Sequence, residues 1–172
     1  MHELAEKLAR GEEAAFAQLY DACADRLHHY VAQRIGSRHA AADVVQVAFM
    51  RAVKSRRRFR SVENPVAYMF QIARNEAARV LSKRPVANVR ALNVNEDFVA
   101  NDSSRPSDDG EVVAAALKRL AVDDRELIEL KIFGGLTFRE IADVTQQPQG
   151  TVATQYRRAL DSLRPWLTKQ LR

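Results

Sequence analysis

Cysteine is almost absent from this chain of 172 residues, in which only Cys23 occurs. A single cysteine cannot form an internal disulfide, so a disulfide-stabilised fold is excluded and a reducing compartment is favoured. Helical spacing of its neighbours predicts that Cys23 packs in a core. The first residues include acids and no apolar stretch, so no signal peptide is predicted, and no apolar run is long enough for a bilayer. We therefore expect a cytoplasmic protein without stable membrane insertion.

Glycine and proline are also scarce, with 6 and 5 residues, while apolar residues make up 47 % of the chain. No run alternates in the way a strand requires, and apolar residues recur at helical spacing. The sequence therefore predicts an all-α fold with a packed core. Local signals place helix ends. Gly36 should end one helix, Asn64 should cap a helix that starts at Pro65, and Thr137 with Glu140 should form a capping box.

A change of composition divides the chain. Residues 85–108 are rich in Asn, Asp, Ser and Pro, show no sustained period and carry mostly acidic side chains. This texture predicts a linker between a first domain at 1–84 and a second domain at 109–172. An ordinary solvated tether has the same composition, so the acidic charge does not by itself assign a role.

Positive charge is unevenly distributed. The formal net charge is +5, which favours an anionic partner, with nucleic acid first and a membrane surface second. The densest stretch is "RAVKSRRRFR", where Phe59 stands among the cations and Asn64 and Tyr68 follow. Cations that track a phosphate backbone beside rings that take unstacked bases are typical of single-stranded DNA capture. A solvated basic helix end is the alternative interpretation.

Near the C-terminus, "LTFREIADVTQQPQGTVATQYRRALDSLR" indicates two short amphipathic helices separated by a polar break. Threonines and an amide lie near the start of the second helix, and Arg157 and Arg158 follow. Such side chains suit a helix in the DNA major groove, where amides and hydroxyls read base edges and arginines hold bases or phosphates. An amphipathic hairpin with a basic exposed face remains the alternative.

Two separate sets of residues resemble the extracytoplasmic-function (ECF) sigma factors. In the second half, "REIADV" and "GTVATQYRRALDSLR" are similar to the family's C-terminal helix-turn-helix. In the first half, "AFAQLY" resembles the start of the first conserved region. "AADVVQVAFMRAV" resembles the helix that docks on core RNA polymerase, and "NPVAYMFQIARNEA" the helix after the promoter-melting loop. The two sets occur in the family's order and cover nearly the whole chain.

The resemblance implies a two-domain sigma factor that binds core RNA polymerase and directs it to promoter DNA. It implies no enzymatic activity and no cofactor. An anti-sigma factor is an expected further partner and could hold the protein at the bacterial membrane. The implied polymerase-binding residues are Asp43, Gln46 and Phe49. Those implied for the melted minus-ten strand are Arg51, Lys54, Arg57, Arg58, Phe59, Arg60, Ser61, Asn64, Tyr68 and Asn75. Those implied for the minus-thirty-five duplex are Thr137, Arg139, Gln149, Thr151, Thr154, Gln155, Arg157 and Arg158.

The chain departs from the family at its turn. "TQQ" stands where the family has glycine and an apolar residue, and Gln155 stands where arginine is common, so promoter preference does not transfer. The alternatives are a stand-alone helix-turn-helix regulator acting as a homodimer, and a helical adaptor that binds only proteins. No metal site is predicted, because His28 and His29 are adjacent and point to different faces.

Overall fold

The protein is all-α over the residues that the computed structural model describes, which are 2–83 and 108–170. Most of the predicted linker falls outside them, and its boundaries stay a prediction. None of the described helices has the length and apolar character needed to cross a bilayer. The helices are α1 (His2–Arg10), α2 (Glu13–Ile35), α3 (Arg38–Lys54), α4 (Pro65–Ser82), α5 (Asp108–Lys118), α6 (Val122–Ile132), α7 (Phe138–Thr145) and α8 (Gln149–Gln170), with a 3-10 helix at Arg56–Ser61.

The helix ends confirm the local signals in the sequence. Gly36 adopts the left-handed conformation, with φ of 69°, and closes α2 by donating its N–H to the carbonyl of Ala32. The Asn64 side chain accepts the N–H of Val66 at 2.9 Å and caps α4, whose first residue is Pro65. Both hydrogen bonds of the predicted capping box are present at the start of α7.

The third helix ends earlier than the apolar pattern indicates. It stops at Lys54, and the arginine-rich stretch that follows is a 3-10 helix. The Ser55 hydroxyl donates to the carbonyl of Arg51 at 2.7 Å and so occupies an acceptor at the end of α3. Continuing an α-helix through this run would stack like charges one turn apart, which is unfavourable. The tighter helix instead turns Phe59 into the core.

Helices α2, α3 and α4 pack together as the centre of the first domain. Tyr30 and Phe70 meet edge to face at its middle, with ring centroids 5.6 Å apart. Cys23 is buried in this core as predicted, and its thiol donates to the carbonyl of Leu19. Burial raises the pKa of Cys23 to about 12, so the thiol stays protonated and unreactive.

The second domain divides its apolar residues between two cores. One face of α6 packs on α5 and α8 through Ile128, near Leu117 and Leu163. Leu130 on α6 and Ile141 on α7 instead join the core of the first domain. Helix α7 lies along α4, and α6 contacts α2. The two domains therefore share a buried junction.

Candidate nucleic-acid and polymerase interfaces

Helices α7 and α8 form a corner around the polar turn Gln146-Gln147-Pro148. Gln146 adopts the left-handed conformation at φ of 57°, the one non-glycine residue with positive φ among those described. The N–H of Gln147 returns to the carbonyl of Ala142 at 3.0 Å, so the turn is closed without glycine. The Pro148 carbonyl then accepts the N–H groups of Thr151 and Val152, and α8 starts directly after it. Proline thus stops one helix and positions the next.

Helix α8 buries one side and exposes the side chains predicted for duplex DNA. Val152 and Ala159 face the core, while Thr151, Thr154, Arg157 and Arg158 are exposed. Within the described residues, neither Arg157 nor Arg158 forms an ion pair, so both guanidinium groups are available to an anion. Gln155 is half-buried and its Oε1 lacks a hydrogen-bond partner there. Thr137, Arg139 and Gln149 are also exposed.

The basic residues predicted for single-stranded DNA lie along the end of α3 and the 3-10 helix. Arg51 is held at 2.9 Å by Glu76 of α4, which fixes the direction of its guanidinium. Polar side chains of Ser61 and Asn75 are exposed nearby in the sequence order, and Tyr68 is half-buried. The fully exposed cations of this stretch are Lys54, Arg57, Arg58 and Arg60.

Phe59 is placed differently from the base-stacking role that its spacing suggested. Its side chain is 0 % exposed, and its ring meets those of Phe16 and Tyr68 edge to face at 6.0 and 5.3 Å. A ring enclosed in this way cannot stack on a base. Phe59 instead anchors the basic 3-10 helix to α1, α2 and α4, and it supports Tyr68 from behind.

The residues predicted for polymerase binding lie on one face of α3 beside an open groove. Asp43 and Gln46 are exposed, and Phe49 is half-buried with its ring 5.0 Å from that of Tyr20. The groove has a volume of about 830 Å³ and runs between α2 and α3. Tyr20 and Met50 line it while remaining 53 % and 52 % exposed. Sequence reasoning assigned Tyr20 to the core and missed Met50; two large apolar residues beyond the buried stripe were the available signal.

Ionisable groups that the sequence did not single out meet at the domain junction. The Glu126 carboxylate of α6 accepts from Tyr30 at 2.6 Å, from Arg34 at 2.7 Å and from Arg74 at 2.9 Å. We call these four residues the interdomain clasp. Burial opposes ionisation of Glu126, but the hydrogen bonds from Arg74 and the charge of Arg34 outweigh it, so its pKa lies below the usual value. Burial, followed by the Glu126 charge, raises the pKa of Tyr30 well above normal.

A cleft of about 540 Å³ lies beside the clasp, between the start of α4 and helix α7. Asn64 caps α4 with its oxygen and donates its Nδ2 to Glu140 of α7. Arg139 reaches across to Glu63 at 2.9 Å. The predicted minus-ten and minus-thirty-five residues are therefore brought to two sides of one cleft.

Comparison with known proteins assigns these two halves. A model of sigma-70 region 2 matches residues 19–85, and a model of sigma-70 region 4 matches residues 110–163. The ECF RNA polymerase sigma factor SigW of Bacillus subtilis is 30 % identical, with 96 % of this chain and 94 % of SigW covered. The chain belongs to the ECF RNA polymerase sigma factors. The resemblance seen in the sequence is thus confirmed, and promoter-specific transcription initiation is the function that both matched regions support.

Other ECF sigma factors and solved structures agree. BldN of Streptomyces coelicolor is 30 % identical over 95 % of this chain, which spans 64 % of BldN's length. The solved sigma factor RpoE of Bartonella quintana, bound to the anti-sigma factor NepR, has a TM-score of 0.69 at 26 % identity, covering 89 % of this chain and 96 % of RpoE. CnrH, in complex with the cytosolic domain of CnrY, shares the fold with a TM-score of 0.67 at 23 % identity, covering 98 % of this chain and 97 % of CnrH. The sigma factor family is not a family of catalytic enzymes.

Proposed function

We propose that this ECF sigma factor divides promoter recognition between its two matched regions. Helix α8 reads the minus-thirty-five element as duplex, and the basic 3-10 helix with the start of α4 holds the melted minus-ten strand. The observation that carries this proposal is the exposed face of α8, where threonines near the N-terminus are followed by two arginines without carboxylate partners among the described residues. Hydroxyls and guanidinium groups are donors suited to base edges and phosphates.

The groove between α2 and α3 is the proposed docking surface for core RNA polymerase. Its floor combines the apolar Tyr20 and Met50 with the polar Asp43 and Gln46 at the rim. An apolar centre with polar edges is the usual composition of a protein interface. The groove faces away from α8, so polymerase and duplex DNA need not compete for the same side chains.

Charge guides the minus-ten assignment. Arg57, Arg58 and Arg60 project from a segment whose backbone is fixed by the burial of Phe59. A row of cations on a rigid support follows a phosphate backbone without base preference. Base selection then falls to polar groups near the start of α4, such as Asn64, and to the half-buried ring of Tyr68.

We further propose that an anti-sigma factor regulates the protein and that it acts in the cytoplasm, held at the membrane when that regulator is membrane-bound. Support comes from RpoE and CnrH, whose solved structures contain NepR and the cytosolic domain of CnrY. The chain itself is proposed to perform no covalent chemistry. Its contribution is binding energy and position.

Run-off transcription with purified core polymerase tests the proposal. Reversing both charges in Arg157→Glu with Arg158→Glu should lower promoter affinity about a hundredfold, because each arginine contact is worth 1–3 kcal/mol. Core affinity should not change. The matched control, Arg164→Glu with Lys169→Glu, makes the same charge change later on the exposed side of α8 and should retain promoter binding.

Core binding is tested separately with Asp43→Ala and Gln46→Ala. Both side chains are exposed, so the helical signal and stability should stay within about 0.5 kcal/mol of the parent. Affinity for core polymerase should fall. Failure of the unaltered chain to give a transcript on any promoter of its genome would refute the proposed function, and equal loss of core and promoter binding in the arginine variant would make α8 a structural element.

A further inference from the structure

The domain junction covers surfaces that the proposed function needs for DNA. Asn64 is bonded to Glu140, and Arg139 to Glu63, across the cleft between α4 and α7. These groups bind each other in the place where each was expected to meet DNA. The cleft, at about 540 Å³, has the volume of a small-molecule pocket. It cannot admit a duplex whose major groove alone is about 12 Å wide.

The contacts around the cleft differ in strength. The Arg139–Glu63 pair is exposed, and such pairs contribute little. The Glu126 carboxylate is only 4 % exposed and accepts from groups on both α2 and α4. Its Arg34 and Arg74 partners are largely covered as well. Removing one member of such a set leaves buried charges without a partner, which is strongly unfavourable. Glu126 is therefore the side chain on which the arrangement depends most.

Further contacts fix the same junction. Arg26 of α2 donates to the carbonyl of Gly134, just after α6, at 2.8 Å. The His29 ring lies 4.5 Å from that of Phe133. Along α2, these residues and the clasp lie on a different side from Tyr20, Ala24 and His28, which line the polymerase groove. The groove thus stays open while the DNA-facing cleft is shut.

From this geometry we infer that the free chain holds itself in a closed state, in which the minus-ten and minus-thirty-five surfaces cover each other and Glu126 is the clasp. The inference rests on the proposed function, because it takes those surfaces to be the DNA-binding ones. Polymerase docks on the exposed groove first, and separation of α7 from α4 then frees both surfaces. The sigma factor is consequently inhibited by its own second domain until it meets core polymerase.

Distance measurements on the free protein test the clasp. Spin labels on Ala78→Cys of α4 and Ser162→Cys of α8 occupy exposed positions, and the buried Cys23 stays unlabelled. The unaltered clasp should give one narrow distance. Glu126→Gln keeps the shape but removes the charge, and it should raise the ratio of open to closed molecules about tenfold to a hundredfold.

The matched control is Glu76→Gln. Glu76 is also a buried carboxylate held by two arginines, Arg51 and Arg79, but all three lie in the first domain. This variant should keep the narrow distance even if it lowers stability. An equally broad distribution in the unaltered chain, or the same distribution in the Glu126 and Glu76 variants, would overturn the clasp.

A reversible lock tests the masking. Glu63→Cys with Arg139→Cys is bridged by a bis-maleimide that contains a cleavable disulfide. Single-round transcription should fall at least tenfold in the bridged protein and recover when reductant cuts the bridge. The control bridges Glu3→Cys with Lys7→Cys, an ion-paired couple within α1, and should not change transcription.

The outcomes separate the two proposals. Equal transcription from the bridged and the cut protein contradicts masking. A narrow closed distance in a chain that gives no transcript in any form contradicts the proposed function and leaves the clasp standing. Both results use the full chain, so neither depends on a domain folding alone.

Discussion

Glu129 should make the protein less stable as the pH rises from 5 to 8. The side chain lies on α6 at the junction, is 3 % exposed, and has an Oε1 without a hydrogen-bond partner among the described residues. Burial raises its pKa from 4.5 to about 7, and the neighbouring Glu126 charge adds to the effect, while Arg125 opposes it. The Arg125 guanidinium is engaged by the carbonyls of Lys118 and Leu120, which limits that opposition.

The sign follows from proton uptake. Between the unfolded pKa of 4.5 and the folded pKa of about 7, the folded protein holds a proton on Glu129 that the unfolded chain has lost. Stability from this group is therefore fully present below pH 4.5 and is lost as pH rises through 7. With 1.36 kcal/mol per pKa unit, the loss between pH 5 and pH 8 is about 2.5 kcal/mol.

Urea unfolding at both pH values provides the assay. Glu129→Gln cannot ionise, so its stability relative to the parent should improve by about 2.5 kcal/mol on going from pH 5 to pH 8. His29, whose pKa burial lowers, acts in the opposite direction in the parent and in the variant, so it cancels in the difference. Replacing the exposed Glu13 by Gln should leave the pH dependence of the parent intact. Parallel stability profiles for Glu129→Gln and the parent would refute the reasoning.

Three further substitutions have defined outcomes. Gln146→Gly relieves a left-handed residue and should raise the free energy of unfolding by about 0.5–1 kcal/mol, whereas Gln147→Gly, where φ is not positive, should lower it. Phe59→Ala should cost about 3–5 kcal/mol of stability, while Phe59→Leu should keep promoter opening, measured by permanganate reactivity, within twofold of the parent. Asn64→Ala removes the cap of α4 and should lower stability by about 1 kcal/mol in thermal unfolding, with Asn64→Ser restoring most of it.

The parts of the fold that were predictable from sequence depend on neighbours close in the chain. A cap, a left-handed glycine or a capping box is decided within about four residues, and Gly36, Asn64 and Thr137 behave as their types require. The order of the two motif sets likewise lies within the sequence itself. These features identified an all-α sigma factor before any contact was known.

The parts that were missed depend on residues far apart. Tyr30 and Arg74 lie 96 and 52 residues from Glu126, and no pattern in the chain links them. Phe59 was recognised as an aromatic among cations, but its burial follows from meeting rings on α2 and α4. The basic character of the segment was predictable; which ring faces solvent was not.

The chemistry of the junction suits a contact that must open. A junction made only of leucine and valine would expose a large apolar area on opening, at a free-energy cost of roughly 25 cal/mol per Å². Here the residues with the most specific contacts are Glu126 and two arginines, all of which water can solvate once they separate. Desolvation offsets much of the attraction between such charges, so their net contribution to the closed state is modest, while loss of one partner is severe. The same arrangement can therefore define one closed geometry and still yield to a partner that binds elsewhere on the chain.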